Sequence, residues 1–216
     1  MATSEQIKEL RERTGSGILE CKKALTENGD SIEKAIDWLR SRGMAKANTK
    51  STRQATEGLV ESYIHAGGKV GVLLEINCET DFVARNEGFR TMVRDIAMHI
   101  AASSPEYVRR EEVPGDVLDR ERRVQLERTM AEGKPEAVAQ KIVDGRMSKF
   151  YEEVCLLDQK FIKDDTKTVD AVIKAQIATI GENIRIRRFV RFVLGEGLEK
   201  KSTDFAAEVA AAVGAS

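Results

Sequence analysis

Between positions 70 and 79, apolar side chains fall at every second residue. Val70, Val72, Leu74, Ile76 and Cys78 alternate with Gly71, Leu73, Glu75, Asn77 and Glu79. This period of two predicts a strand with one buried face. Residues 58–66 alternate in the same way, with Leu59, Glu61, Tyr63 and His65 set against Val60, Ser62 and Ile64. The Gly67-Gly68 pair between the two runs predicts a hairpin. Beyond the second strand come Thr80, Asp81, Phe82 and Val83, where helix-capping residue types sit beside a large aromatic that the strand period does not place in the core. Asn86 is a second cap, followed by Phe89, Val93, Ile96, Ala97 and Ile100 at helical spacing. That helix is expected to stop near Ser103-Ser104-Pro105.

Residues 4–43 read as three short helices. Ser4 caps the first, Thr14-Gly15-Ser16-Gly17 separates it from a stripe of Ile18, Cys21, Ala24 and Leu25, and Asn28-Gly29-Asp30 forms the next turn. Ser31 caps the third, with Ile32, Ala35, Ile36 and Leu39 inward and Gly43 at its end. By analogy of pattern this is a bundle of the ubiquitin-associated type, a shape that docks on other proteins. Residues 46–57 are poor in large apolar side chains and are expected to be a linker, with room for some helix. Residues 113–157 read as two helices around Gly133-Lys134-Pro135, hence an antiparallel hairpin whose first arm is too polar for a core. A polar turn over 158–165, a helix over 168–180 and a long strand over 182–194 follow. Ser202 or Thr203 then caps a final helix over 204–213. The expected fold class is α+β: a three-helix bundle (1–45), the linker, a core with a small antiparallel sheet and a protruding helical hairpin (58–200), and a C-terminal helical module (201–216).

Composition narrows the function. With 35 Lys+Arg against 36 Asp+Glu the formal net charge is -1, which gives no global support to a polyanion partner. Locally, Arg185, Arg187 and Arg191 interleave with Phe189 and Phe192, the strongest cue toward single-stranded RNA. Arg120, Arg122 and Arg123 are interleaved with acids and read as a solvated, self-paired face. Cys21, Cys78 and Cys155 stand far apart without a CxxC pair and read as buried thiols, so neither a zinc site nor a disulfide framework is expected. His99 lies beside the stripe of the helix after Asn86 and reads as a polar helix residue, since no catalytic partners accompany it. No phosphate-binding loop, dinucleotide fingerprint, zinc-protease motif or nucleophile elbow occurs. The expectation is a binding protein and not an enzyme. No run approaches the roughly 18 apolar residues of a membrane span, and no signal-peptide stretch opens the chain, so a cytoplasmic protein with no membrane partner is expected.

Specific segments then resemble a known family. LRERTGSGILECKKAL (Leu10 to Leu25), INCETDFVARN (Ile76 to Asn86), DIAMHIAA, GRMSKFYEEV and FVLGEGLEK with TDFAAEVA are similar to bacterial-type translation elongation factor Ts over essentially the whole chain. The resemblance implies a nucleotide exchange factor for the GTPase elongation factor Tu. Through the TDFV motif, Thr80, Asp81, Phe82 and Val83, it implies that Asp81 and Phe82 enter the GTPase domain and disturb its magnesium and phosphate site. The N-terminal module, with Arg11, Ile18 and Leu19 at its contacting part, and the C-terminal helix would grip the same domain, while the sheet docks elsewhere on the partner. The 113–157 hairpin would be the family's helical hairpin. No cofactor and no direct nucleic-acid partner is implied for this chain.

The longest members of that family carry a duplicated core, whereas here Gly181 to Arg188 runs straight into FVRFVLGEG. One small sheet with a greasy face is a poor core. The expectation is a homodimer paired through the sheet. An RNA-binding protein and an adaptor for other proteins are the competing classes.

Overall fold

The computed structural model describes residues 2–198. The expected helix over 204–213, within the module 201–216, lies outside them. Among the described residues the fold is α+β, with eight α-helices, a three-stranded sheet and a two-stranded one.

The central sheet follows from the two alternating runs. β1 (Glu57–Ile64) and β2 (Val70–Cys78) pair antiparallel, and β5 (Ile184–Val193) pairs antiparallel with the other side of β2. Val72, Leu74, Ile76 and Cys78 are all buried. They pack under α5 (Glu87–Ser103), whose Phe89, Val93, Ile96 and Ile100 are fully buried, so the sequence's best amphipathic stripe covers its best alternating strand. Ile173 and Ile177 of α8 (Val169–Ile180) complete this cluster.

A second cluster lies in the N-terminal helices. α1 (Ser4–Thr14), α2 (Ile18–Glu27) and α3 (Ile32–Lys50) enclose Leu10, Cys21, Ala24, Leu25, Ala35 and Leu39. Thr3, not Ser4, caps α1: its side chain accepts from the Gln6 N–H while the Gln6 side chain accepts the Thr3 N–H. Gly43 does not end α3. The helix continues to Lys50 through the first part of the expected linker, and the missing Cβ serves close packing, since a Cβ at 43 would stand 2.9 Å from that of Ala178 on α8. Leu39 therefore belongs to the N-terminal cluster and Ala47 to the central one.

Between α5 and α8 lie α6 (Gly115–Ala131) and α7 (Glu136–Val154). α7 buries Ala139, Val143 and Met147, and a polar cluster links it to α6. Arg146 donates to Thr129 Oγ1 at 2.9 Å, to Gln125 Oε1 at 3.3 Å and to Glu132 at 3.1 Å. The region expected as a polar turn contains instead a second small hairpin, β3 (Lys160–Phe161) and β4 (Asp164–Thr168), with Phe161 buried. Two residues are too short to show a period, and the turn after β3 is tied to a distant position, the Ile162 N–H donating to His99 Nδ1 at 3.2 Å.

The expected strand over 182–194 forms, but not with one uninterrupted alternation. Glu75 pairs with Arg188 and Ile76 with Ile186, leaving Arg187 as the extra residue of a bulge. The bulge reverses which residues face the core. Phe189 and Arg191 lie opposite the buried Leu74 and Val72, and Arg191 donates to the Ala101 carbonyl at 3.3 Å. Arg188, Val190 and Phe192 point to the open side, where Arg188 donates to Glu75 at 2.7 Å. The basic and aromatic residues of β5 are thus divided between two faces, Phe189 and Arg191 on one and Arg188 and Phe192 on the other.

Candidate functional site

β2 ends in a tightly held foot. Cys78 is buried and its thiol donates to the Thr80 carbonyl at 3.1 Å. Burial, and then the charge of Glu182, push that thiol up to about 11, so it stays protonated as the donor. Thr80 stands at the N-cap of the short helix α4 (Asp81–Arg85), yet its hydroxyl does not cap that helix. It donates instead to Glu182 Oε1 at 2.7 Å, and the Thr80 N–H donates to Glu182 Oε2 at 3.0 Å. In the opposite sense the Asn183 N–H donates to Glu79 Oε1 at 2.6 Å.

On this foot the four sequence-predicted residues separate by role. Val83 turns inward and is buried. Asp81 accepts from Arg85 Nη2 at 2.9 Å, one turn along α4. Phe82 is 80% exposed. A phenylalanine so placed is not a staple under the following helix, because α5 is capped separately by Asn86, whose Oδ1 accepts the Phe89 N–H at 3.1 Å. The ring leaves roughly 1.5 to 3 kcal/mol of burial free energy unused in the isolated chain.

The N-terminal residues form a separate patch. Ile18 and Leu19, at the start of α2, are 56% and 82% exposed, and Arg11 and Ile18 line a shallow groove with Ser4, Ile7 and Lys8. A third patch lies on the open side of the sheet: Val60, Ile64, Leu73, Val190 and Phe192 are all exposed, with Leu194 beyond them. Glu182 and Asn183 were not legible as site residues. A GEN triplet after a helix carries no chemical signature, and only the fold brings it to the foot of β2.

Residues 3–196 match the elongation factor TS family. The chain is 60% identical to elongation factor Ts of Citrifermentans bemidjiense over 212 residues, covering 98% of each chain. It is 60% identical to that of Geotalea daltonii over 213 residues, covering 99% of each, and 58% identical to that of Geobacter sulfurreducens over 212 residues, covering 98% of each. The chain belongs to the elongation factor Ts family. Among the described residues of this elongation factor Ts chain no helix is long and apolar enough to cross a membrane. Among the described residues, exposed apolar side chains gather around Phe82, around Ile18 and on the open sheet face.

Proposed function

We propose that this chain is a guanine nucleotide exchange factor for elongation factor Tu, acting in the cytoplasm by binding and not as an enzyme. The observation that carries the reading is Phe82, exposed on a foot whose neighbours on both sides are fixed. In this reading Asp81 and Phe82 enter the GTPase domain, the ring wedges between its helices, and the magnesium and phosphate site is disturbed so that GDP leaves. Magnesium and nucleotide belong to the partner, and the chain itself uses no cofactor.

Exchange requires that the factor hold the nucleotide-free GTPase more tightly than the nucleotide-bound one. Weakening a nucleotide complex by four orders of magnitude takes about 5.5 kcal/mol of coupling. Burial of one phenylalanine supplies about 1.5 to 3 kcal/mol. The wedge therefore needs a second grip. Arg11, Ile18 and Leu19 on the N-terminal bundle, of the ubiquitin-associated type by pattern, supply it here, assisted by the C-terminal module 201–216. The domain scheme is the bundle (1–45), a connection ending near 57, the core (58–200) with α6 and α7 as a protruding helical hairpin, and the C-terminal module.

The open sheet face supports a homodimer. Val60, Leu73, Val190 and Phe192 leave an apolar stripe uncovered on a single three-stranded sheet, and pairing of two such faces completes a core.

The deciding assay is release of labelled GDP from elongation factor Tu. The wild-type chain accelerates it, and Phe82→Ala slows it with the melting transition unchanged. No acceleration by the wild-type chain would overturn the exchange reading.

A further inference from the structure

The foot of β2 is held from three directions that are remote in sequence. Glu182, in the turn between α8 and β5, takes both donors of Thr80 on one carboxylate. Glu79 takes the Asn183 N–H in return. The Asn183 side-chain amide then reaches the end of α3, donating to the Arg53 carbonyl at 2.7 Å and to the Ser51 carbonyl at 3.4 Å. Lys50, the last residue of α3, donates to the Gly181 carbonyl, and Arg53 lies 3.6 Å from Glu79. Three segments, 50–53, 79–80 and 181–183, thus close a ring of hydrogen bonds directly behind Asp81 and Phe82.

Neither the packing of the sheet nor the helicity of α4 demands this ring. α4 is a single short helix with no side-chain cap, since the hydroxyl that could cap it is engaged by Glu182. The neighbouring strand register is complete through Cys78 and Ile184 without Glu182. The carboxylate is spent on fixing where the chain leaves β2, which is where the exposed ring is aimed. A carboxylate accepting two donors at 2.7 and 3.0 Å is a strong and directional restraint.

We propose that Glu182 is a positioning residue for nucleotide exchange: through Thr80 it sets the direction of Phe82, and through Asn183 and residues 50–53 it ties that direction to α3 and the N-terminal bundle. The proposal rests on the reading of Phe82 as the wedge. Glu182 touches no partner atom in this scheme. It acts by preorganisation, so its loss lowers the rate reached at saturation and not the affinity of the encounter.

The test measures GDP release from elongation factor Tu over a range of factor concentrations, for wild type, Glu182→Ala, Glu182→Gln, Thr80→Val and Phe82→Ala. Glutamine keeps the size of Glu182 but sets an amide N–H2 against one of the two Thr80 donors. Both Glu182 variants are expected to lower the saturating rate about tenfold while the half-saturating concentration stays within about threefold. Thr80→Val combined with Glu182→Ala should be no slower than Glu182→Ala alone, because both remove the same contact. A saturating rate equal to wild type in both Glu182 variants, or a change confined to the half-saturating concentration, would overturn the proposal. Should the Glu182 variants not melt cooperatively, Thr80→Val decides by the same criterion, since it removes only the hydroxyl contact. Phe82→Ala separates the two levels. Loss of rate there with wild-type rates for Glu182 variants rejects the positioning role alone, and no loss there rejects the wedge.

Discussion

Nε2 of the wholly buried His99 lies 2.9 Å from Oε1 of Gln159. Its other ring nitrogen accepts the Ile162 N–H at 3.2 Å, so the ring is neutral with its proton on Nε2, and Gln159 in turn donates to the Glu153 carbonyl at 2.6 Å. This histidine, on α5, anchors the turn after β3 and, through Gln159, the end of α7 to the helix that covers the sheet. Burial lowers its pKa below the ordinary 6.5, an effect the Gln159 bond only partly offsets. In the unfolded chain the imidazole protonates first as pH falls. Its contribution to stability is therefore fully present above about pH 6.5 and is lost progressively as the pH falls below that value toward the folded pKa. Urea midpoints measured between pH 7.5 and 5 should fall, and the slope should flatten in His99→Leu. That variant is also less stable at neutral pH, by about 1 to 3 kcal/mol for each buried partner left unpaired.

Gly58 has φ +140°, and a Cβ there would meet the Ile76 carbonyl oxygen at 2.1 Å and the Asn77 Cα at 2.7 Å. Both atoms are backbone of the central strand and cannot turn aside. Gly58→Ala should cost about 3 kcal/mol or more, a fall in melting temperature of about 6 °C or more for a chain of this size. Gly115, the first residue of α6, with open space around its missing Cβ and no such angle, is the control that should melt near wild type when changed to alanine.

Arg146 holds the α6–α7 seam through three separate acceptors, against Thr129, which is itself fully buried and donates to the Gln125 carbonyl at 2.7 Å. Arg146→Met should loosen this pair locally by about 1 to 2 kcal/mol. Hydrogen exchange would read it as faster exchange in α6 and α7, with β2 and α5 unchanged. Faster exchange spread evenly through the sheet would contradict a local seam.

The homodimer reading places Phe192 and Leu73 in a contact between copies. Light scattering at micromolar concentration should give about twice 24.0 kDa for the wild-type chain. Phe192→Glu should shift the mass to the monomer without lowering the cooperativity of unfolding, since the side chain is 63% exposed in the single chain. A wild-type mass of 24.0 kDa alone would end the reading.

What the sequence made legible is what short-range periodicity encodes. The β1–β2 hairpin, the covering helix α5, the cap at Asn86 and the helix before Gly181 all stand where residue spacing places them. What it hid depends on partners far along the chain. Gly43 has the composition of a helix stop, but the residue that explains it is Ala178 on another helix. Arg187 interrupts an alternation that reads as continuous, because a bulge is defined by the partner strand and not by the strand carrying it. Phe82 stood out as an aromatic off the strand period. Whether it was exposed or tucked away turned on how α5 begins and how Glu182 holds Thr80, and neither follows from the local pattern.

The continuity of α3 across Gly43 has a mechanical corollary. One helix of 19 residues carries side chains of both hydrophobic clusters, so no flexible joint lies between the bundle bearing Ile18 and the ring behind Phe82. The two patches share a torsional phase. A single alanine inserted after Gly43 would rotate one end of the shaft against the other by about 100° and advance it by about 1.5 Å, with little loss of helicity. Two surfaces that can each still bind would then no longer address the same partner molecule together.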